Sequence, residues 1–165
     1  MEPLFVTRTA QGQIAGRVLD VLSHGSDGTT FTLRGDLSGV SFFAGLSYTS
    51  SYIFTTFALR EDNGKGNAVM EGRLQLRSLT LNCARTGYLE IHVRPQFRNE
   101  STYTFTGREL GHGSNIIGAI PLYTGSIKAP LLSHNTWIQV EARSASFLPF
   151  SLVTASVEGF YNSTS

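Results

Sequence analysis

The clearest alternation of apolar and polar positions lies near the middle of the chain. Leu74 and Leu76 alternate with polar neighbours, and this period of two places apolar side chains on one face of a β-strand. Leu79 and Leu81 continue the alternation, but they occupy odd positions rather than even ones. Both pairs can face one core only if residues 77–78 contain a β-bulge or a sharp bend. We therefore predict a distortion of the strand at that point.

The polar and glycine-containing residues 82–87 follow this strand, and their composition is typical of a turn. Three apolar residues then resume the alternation, namely Leu89, Ile91 and Val93. Their polar neighbours on the opposite face are Glu90, His92 and Arg94. We expect a second strand here, joined to the first by a hairpin or by a crossing from one sheet to another.

Short segments of the same kind recur along the rest of the chain, and turn-forming residues separate them. We predict further strands at 4–9, 14–22, 29–34, 40–46, 52–59, 102–108, 116–122, 125–132, 136–142 and 151–157. Asp27 and Gly28 favour a tight hairpin because glycine reaches positive φ at little steric cost. Pro121, Pro130 and Pro149 should lie at strand ends or on edge strands, because proline cannot donate a ladder hydrogen bond.

No window of the sequence repeats apolar residues at the three- and four-residue spacing of an α-helix. Many short strands separated by turns are typical of an all-β protein, so we predict an antiparallel β-sandwich or barrel. Residues 35–39 form a candidate connector. This connector divides the chain into a small N-terminal β segment at 1–38 and a main β domain at 39–165.

Composition narrows the classes of function. Charged residues make up only 15% of the chain against 41% hydrophobic residues, which is compatible with surface hidden in an assembly. The net charge of +1 provides no global basic field that would attract nucleic acid or an anionic membrane.

The single cysteine, Cys83, excludes an internal disulfide and a zinc site built from cysteines, and we predict a turn or core position for it. Neither a signal peptide nor an apolar run of about 18 residues is present.

Candidate catalytic and metal-binding residues are sparse. The four histidines, His24, His92, His112 and His134, do not have the spacing of a local metal pair, although distant residues could still assemble one. His24, Ser26 and Asp27 are the residue types of a hydrolytic triad, but neighbours in one glycine turn cannot adopt the relay geometry. No nucleophile elbow or phosphate-binding loop occurs. We therefore predict no enzymatic activity, no cofactor and no metal.

Arginines and aromatic residues are interleaved in the central third of the chain. The arginines are Arg73, Arg77, Arg85, Arg94, Arg98 and Arg108, and the aromatic residues are Tyr88, Phe97, Tyr103 and Phe105. One interpretation is a nucleic-acid-binding face, since arginine and aromatic side chains together contact backbone and bases. The other is a polar sheet face on which the arginines pair with Glu71, Glu90, Glu100 and Glu109. We favour the second interpretation because acidic residues are mixed with the basic ones.

Several segments occur in a distinctive order. They are residues 72–88, reading GRLQLRSLTLNCARTGY, then 103–108, Gly118, 146–149 and 157–161. In this order they resemble the C-terminal part of the tail nozzle protein of short-tailed phages, a family also called tail tubular protein B. No single segment is a catalytic fingerprint, and the order of the segments carries the resemblance.

The similarity extends over residues 39–161, and residues 45–50 resemble the family's glycine-aromatic entry to this region. Some positions match the family pattern and are candidates for framework or interface roles. They are Gly72, Arg73, Gln75, Arg77, Thr86, Gly87, Tyr103, Gly107, Arg108, Gly159 and Phe160.

The resemblance implies a structural virion component, a homohexameric ring below the adaptor ring of a short tail that forms part of the genome-ejection channel. The implied partners are the chain's own copies, the tail adaptor protein, the tail fibres and, transiently, genomic DNA that passes without specific binding. The implied location is the virion tail, after assembly in the host cytoplasm. Family members are several times longer and carry a propeller-like region upstream, so we expect a fragment or a reduced member.

A second hypothesis is a carbohydrate- or receptor-binding β-sandwich of a tail fibre or adhesin. Exposed Trp137, Tyr48, Tyr52 or Tyr123 could stack on sugar rings, although a sole tryptophan more often lies in the core. A third hypothesis is a glycan-degrading enzyme, which would need two carboxylates at a separation of roughly 5–10 Å. The sequence does not place any two carboxylates at that separation.

Overall fold

The computed structural model describes residues 3–8, 14–60, 66–69, 72–108, 111, 113, 116 and 118–163. Contacts divide the chain into two compact units. The first unit comprises Met1–Tyr48 and Arg108–Leu122, and the second comprises Thr49–Gly107 and Tyr123–Ser165. Compact contacts do not establish independent folding, so the division of the chain at residues 38 and 39 stays a prediction.

The described residues of the first unit form five short strands. They are β1 (Pro3–Thr7), β2 (Val18–Leu19), β3 (Val21–His24), β4 (Phe31–Leu33) and β5 (Phe42–Leu46). Strands β2, β1 and β5 form one antiparallel sheet in that order, and β3 pairs with β4. Phe5 is buried, and its ring lies 5.4 Å from that of Phe31 and 5.8 Å from that of Phe42. Aromatic packing therefore joins the two sheets of this unit.

The hairpin predicted at Asp27 and Gly28 is confirmed. The Asp27 carboxylate accepts hydrogen bonds from the backbone N–H groups of Thr29 and Thr30, at 3.1 and 3.0 Å. Gly28 has a φ of +68°, a conformation that glycine adopts at little cost. Hydrogen bonds from Thr30 and Thr29 hold the pKa of the Asp27 carboxyl well below its usual range. This aspartate therefore serves the turn, as its sequence context indicates.

In the second unit, the part of the chain that the structure describes forms seven strands and one short 3₁₀ helix. They are β6 (Ser50–Ile53), β7 (Arg73–Thr86), β8 (Leu89–Pro95), β9 (Ser101–Phe105), β10 (Tyr123–His134), the helix Asn135–Trp137, β11 (Ile138–Ser144) and β12 (Leu152–Asn162). Two antiparallel sheets result, with strand orders β10-β7-β12 and β6-β11-β8-β9. Neither sheet closes into a barrel, and residues from both form one hydrophobic core. The all-β prediction is confirmed, and the arrangement is sandwich-like.

The distortion predicted at residues 77–78 is confirmed. Along β12, Glu158 pairs with Ser78 and the next residue, Gly159, pairs with Leu76, so Arg77 is an extra residue of β7. This bulge lets the alternation change phase while the apolar face keeps its direction. Leucines on both sides of the bulge are buried, with exposed fractions of 1% for Leu76, 0% for Leu79 and 0% for Leu81.

The turn predicted at residues 82–87 is wrong, because β7 continues to Thr86. The side chain of Asn82 bridges the neighbouring strands: its Nδ2 donates to Thr154 Oγ1 at 2.6 Å, and its Oδ1 accepts from Ser126 Oγ at 2.6 Å. Asn82 is polar because it lies on the outer face of a sheet, and in the sequence this polarity suggested a turn. The chain then crosses to the other sheet, in which β8 pairs with β9 and β11.

Further strand predictions need correction. In the segment predicted at 14–22, residues 14–17 and 20 lie outside strands. Strand β6 ends at Ile53, so residues 54–59 of the segment predicted at 52–59 lie outside a strand. Phe54 and Phe57 nevertheless pack against the core, which explains why the segment is apolar without pairing. In the segment predicted at 116–122, the described residues 116 and 118–122 lie outside strands.

The proline prediction is confirmed for Pro130. Pro130 lies within β10, which pairs only with β7 and is therefore an edge strand. Pro121 and Pro149 lie outside the strands. A proline on the outer edge of a sheet removes no ladder hydrogen bond.

Replacing Gly159 with alanine should destabilise the second unit. An ideal Cβ at this position would lie 2.6 Å from the carbonyl oxygen of Gln75, and such overpacking typically costs about 1–3 kcal/mol. We expect the free energy of unfolding to fall by about that amount in urea denaturation followed by Trp137 fluorescence. Ser156→Ala, at an exposed position of the same strand, should change it by less than about 0.5 kcal/mol. Equal stability of the two variants would contradict the close approach of β12 to the bulge.

Candidate functional site

Six of the eleven family-like residues lie together along the pairing of β7 with β12. They are Gly72, Arg73, Gln75, Arg77, Gly159 and Phe160. Arg73 pairs with Asn162, and Gln75 pairs with Phe160. The guanidinium carbon of Arg77 lies 5.9 Å from the centre of the Phe160 ring, a cation–π distance. The pairing of β12 with the bulged strand β7 therefore brings these six residues together. The sequence alone did not show that they are neighbours.

Gly72 precedes β7 and has a φ of +88°. A Cβ at this position would lie 2.6 Å from the carbonyl oxygen of Asn162. Both glycines of the group, Gly72 and Gly159, therefore permit close approach of the β7 and β12 backbones.

Thr86 and Gly87 lie at the opposite end of β7 and brace the segment that leads into β12. The Thr86 hydroxyl accepts a hydrogen bond from the Ser151 N–H at 3.1 Å. The Gly87 N–H donates to the Pro149 carbonyl at 2.8 Å. Thr86 and Gly87 are buried, so their polar groups have little access to water. These hydrogen bonds satisfy the polar groups instead.

The remaining three family-like residues belong to a different part of the second unit or border it. Tyr103 lies on β9 opposite Ile91 and packs against the core. Gly107 is buried with a φ of +67°, and Arg108 is exposed. The framework or interface role assigned to all eleven positions stays a prediction.

A network of charged side chains covers part of the outer face of the β6-β11-β8-β9 sheet. Arg94 bridges two carboxylates: its Nε lies 3.0 Å from Glu100 and its Nη1 lies 2.6 Å from Glu141. His92 also bridges two carboxylates, with Nε2 3.0 Å from Glu90 and Nδ1 2.5 Å from Glu100. The Tyr88 hydroxyl donates a hydrogen bond to Glu90. Strands β8 and β11, together with Tyr88 before β8 and Glu100 before β9, thus contribute to one chain of ion pairs and hydrogen bonds.

The contacts within this network change the pKa values of its ionisable side chains. Burial alone would lower the pKa of His92, but hydrogen bonds to Glu100 and Glu90 raise it above its ordinary value. Hydrogen bonds from Tyr88 and His92 lower the pKa of Glu90, and those from His92 and Arg94 lower the pKa of Glu100. The charged forms of all three groups are therefore favoured.

The arrangement of the arginines agrees with a polar sheet face. Arg94 pairs with Glu100, as the sequence indicated, and with Glu141, which the sequence analysis missed. Arg73 and Arg77 lie on β7, in the sheet opposite the one that contains Arg94. Because the outer faces of two packed sheets point in opposite directions, these arginines do not share one continuous surface. The predicted partners at positions 71 and 109 lie outside the described residues.

The described histidines and Cys83 are spread over separate parts of the fold. No group of three or more potential metal ligands occurs in the described part of the chain, and His112 lies outside it. Cys83 lies in the core of the second unit, where burial raises the pKa of its thiol. Of the two positions predicted for this cysteine, a turn or the core, the structure shows the core.

Trp137 does not lie in the core. Its exposed fraction is 48%, and it forms the end of the 3₁₀ helix between β10 and β11. Its ring centre lies 5.4 Å from that of Phe97 and 4.9 Å from that of His134. Tyr48 and Tyr52 are also exposed, whereas Tyr123 is half-buried against Phe105. We refer to Phe97, His134 and Trp137 as the aromatic surface.

The fold defines an all-β protein with two antiparallel sheets around the core of its second unit. Residues 2–165 match the bacteriophage nozzle protein family. A search of curated proteins returned no match. Because the match covers essentially the whole chain, the chain belongs to the bacteriophage nozzle protein family and is a structural component of the virion tail. The resemblance identified from the sequence is thereby confirmed. No helix within the described residues is long and apolar enough to cross a membrane.

The network around His92 should make stability depend on pH. The raised pKa of His92 contributes stability that is complete below 6.5, its unfolded-state value, and is lost as pH rises through the folded-state pKa. The lowered pKa values of Glu90 and Glu100 contribute stability that is present above 4.5 and is lost as pH falls through their folded-state values. The network therefore stabilises the folded chain most between pH 4.5 and pH 6.5.

We expect the melting temperature of the unmodified chain to exceed that of His92→Gln most at about pH 5.5 and least at about pH 8.5. Scanning calorimetry across this range provides the measurement. His134→Gln is the matched control, because this histidine contacts the Trp137 ring rather than a carboxylate. A constant difference between the unmodified chain and His92→Gln at every pH would rule out the protonation effect.

Proposed function

We propose that this chain forms part of the genome-ejection channel of a short phage tail, as a ring of its own copies. Membership of the nozzle family supports a tail component, and the resemblance to nozzles of short-tailed phages favours a homohexamer. The observation that carries the proposal is the apolar surface on the edge strands of the second unit. This surface indicates contacts that a single copy leaves unfilled.

The exposed apolar surface on an edge strand is clearest at β12. It extends over 11 residues and pairs with β7 along one edge only. Its side chains Val153 and Phe160 are 63% and 59% exposed. A long edge strand with apolar side chains favours association with another chain, and a rotationally symmetric ring would satisfy such edges in every copy.

The distribution of charge fits a channel through which DNA moves freely. Some basic groups are neutralised by carboxylates: Arg94 lies between Glu100 and Glu141, and Lys128 Nζ lies 3.1 Å from Glu158. With a net charge of +1, the chain as a whole exerts little attraction on phosphate groups. Weak phosphate contacts favour passage of the genome over retention.

Further parts of the proposal follow from the family resemblance. The partners are the tail adaptor protein and the tail fibres, and the chain has a structural rather than an enzymatic role. Assembly takes place in the host cytoplasm before incorporation into the tail. The exposed family-like residues, including Arg73, Arg77 and Phe160, are the first candidates for contacts between copies.

Light scattering of the purified chain over a range of concentrations should reveal a discrete oligomer, and negative-stain imaging should show a ring with a central hole. Phe160→Ser should shift the population towards smaller species, because it removes an exposed apolar contact without touching the core. Val153→Ser tests the opposite end of the same strand. The matched control is Phe147→Ser, which removes an exposed ring of the second unit outside β12. We expect it to retain the oligomer.

A strict monomer at every concentration would contradict assembly through surfaces present in this chain. Rings that persist in Phe160→Ser but dissociate in Val153→Ser would instead assign the contact to the opposite end of β12. Circular dichroism of both variants confirms that the fold is intact in each case.

Duplex DNA should bind this chain only weakly. At about 0.15 M salt we expect a dissociation constant weaker than about 100 μM in fluorescence anisotropy, at or beyond the weak end of the non-specific range. The physical reason is the near-neutral net charge of the chain, which provides no overall basic field. Tight binding at this salt concentration would contradict free passage of the genome, whatever the oligomeric state.

A further inference from the structure

A small cleft opens in the second unit where β8 and β9 of one sheet approach β10 of the other. Its volume is about 120 Å³, and its lining includes Tyr103, Pro130 and Leu132. Leu132 has a φ of +48° and lies where the pairing of β10 with β7 changes register, so its side chain is exposed. The same irregularity of β10 therefore shapes one wall of the cleft.

The aromatic surface lies beside this cleft. The Gln96 N–H donates to the Trp137 carbonyl at 2.8 Å, which holds the β8–β9 connection against the 3₁₀ helix. Phe97 is 73% exposed and meets the Trp137 ring at an interplanar angle of 84°. Edge-to-face packing fixes both rings while leaving much of their surface in contact with solvent.

Polar groups border the same cleft. The Arg98 guanidinium donates through Nη2 to the Leu132 carbonyl, which fixes its position and leaves its other N–H groups available. Asn99 and Ser101 also line the cleft. Their side chains form no hydrogen bond with any other residue that the structure describes.

We propose that this cleft and the adjoining aromatic surface bind a saccharide in its pyranose form. A pyranose has an apolar C–H face, which can lie against exposed aromatic rings, and a rim of hydroxyl groups that donate and accept hydrogen bonds. Arg98, Asn99 and Ser101 supply the complementary polar groups. An apolar protein segment would leave these polar groups unpaired at a cost, so the combination favours a sugar over such a segment.

This binding site is independent of the proposed channel. The aromatic surface and the cleft belong to the β8–β9 connection and the end of β10, whereas the assembly contact is proposed on β12. A chain that fails to form rings could still bind saccharides, and a ring could form without this site. A result that contradicts one proposal therefore does not contradict the other.

Trp137 is the sole tryptophan, so its fluorescence provides a direct readout. We would titrate the full chain with maltotriose, lactose, chitobiose and galacturonate, which together present glucose, galactose, N-acetylglucosamine and a uronic acid. At least one should produce a saturable change in emission with half-saturation at about 1–10 mM, as expected for a single small site. Sorbitol carries the same hydroxyl groups without a ring face and should produce no saturable change.

Two variants assign the response to this site. Phe97→Ala and Asn99→Ala should each weaken binding about threefold to tenfold, through loss of a ring contact and of a hydrogen bond, respectively. Phe147→Ala is the matched control, since it removes another exposed ring of the same unit that does not line the cleft. It should bind as the unmodified chain does.

Three outcomes would overturn the proposal. The first is the absence of a saturable response to all four saccharides at about 50 mM. The second is an unchanged response in both Phe97→Ala and Asn99→Ala, which would place binding elsewhere. The third is a shift of Trp137 emission with protein concentration alone that Phe97→Ala abolishes, since this would show that a second copy covers the aromatic surface.

Discussion

The burial of the inner face of β7 on both sides of its bulge is the constraint on which the second unit depends. β7 pairs with β10 and β12 and contributes leucines to the core shared with β8 and β11. If β7 were a regular strand without the bulge at Arg77, Leu79 and Leu81 would turn to the outer face, and each fully buried leucine contributes about 1.5–3 kcal/mol. The approach of Gly159 to the bulge satisfies the same constraint from the neighbouring strand.

The outer surfaces of the two sheets have different character, and this difference separates their proposed roles. The outer face of the β6-β11-β8-β9 sheet carries a network in which Arg94 and His92 are held between carboxylates, so its charges are largely satisfied within the chain. Strand β12 of the other sheet instead exposes apolar side chains along an unpaired edge. Satisfied charge suits a surface past which DNA moves, whereas exposed apolar area suits contact between copies.

The sequence predicted what depends on local alternation. It predicted the all-β class, the distortion of β7 and the hairpin at Asp27, because each follows from neighbouring residues. It failed where distant contacts decide: Asn82 is held in β7 by Ser126 and Thr154, which lie 44 and 72 residues away. The partner Glu141 of Arg94 and the exposed position of Trp137 likewise depend on how β11 joins the sheet, and periodicity carries no information about that.

The most direct test of the proposed role is an electron microscopy reconstruction of the assembled phage tail that contains this chain. We predict that copies of the second unit surround the tail axis and contact one another through β12, enclosing a continuous opening that admits duplex DNA. A reconstruction that places the chain away from the axis, as part of a fibre that does not border the opening, would contradict the account.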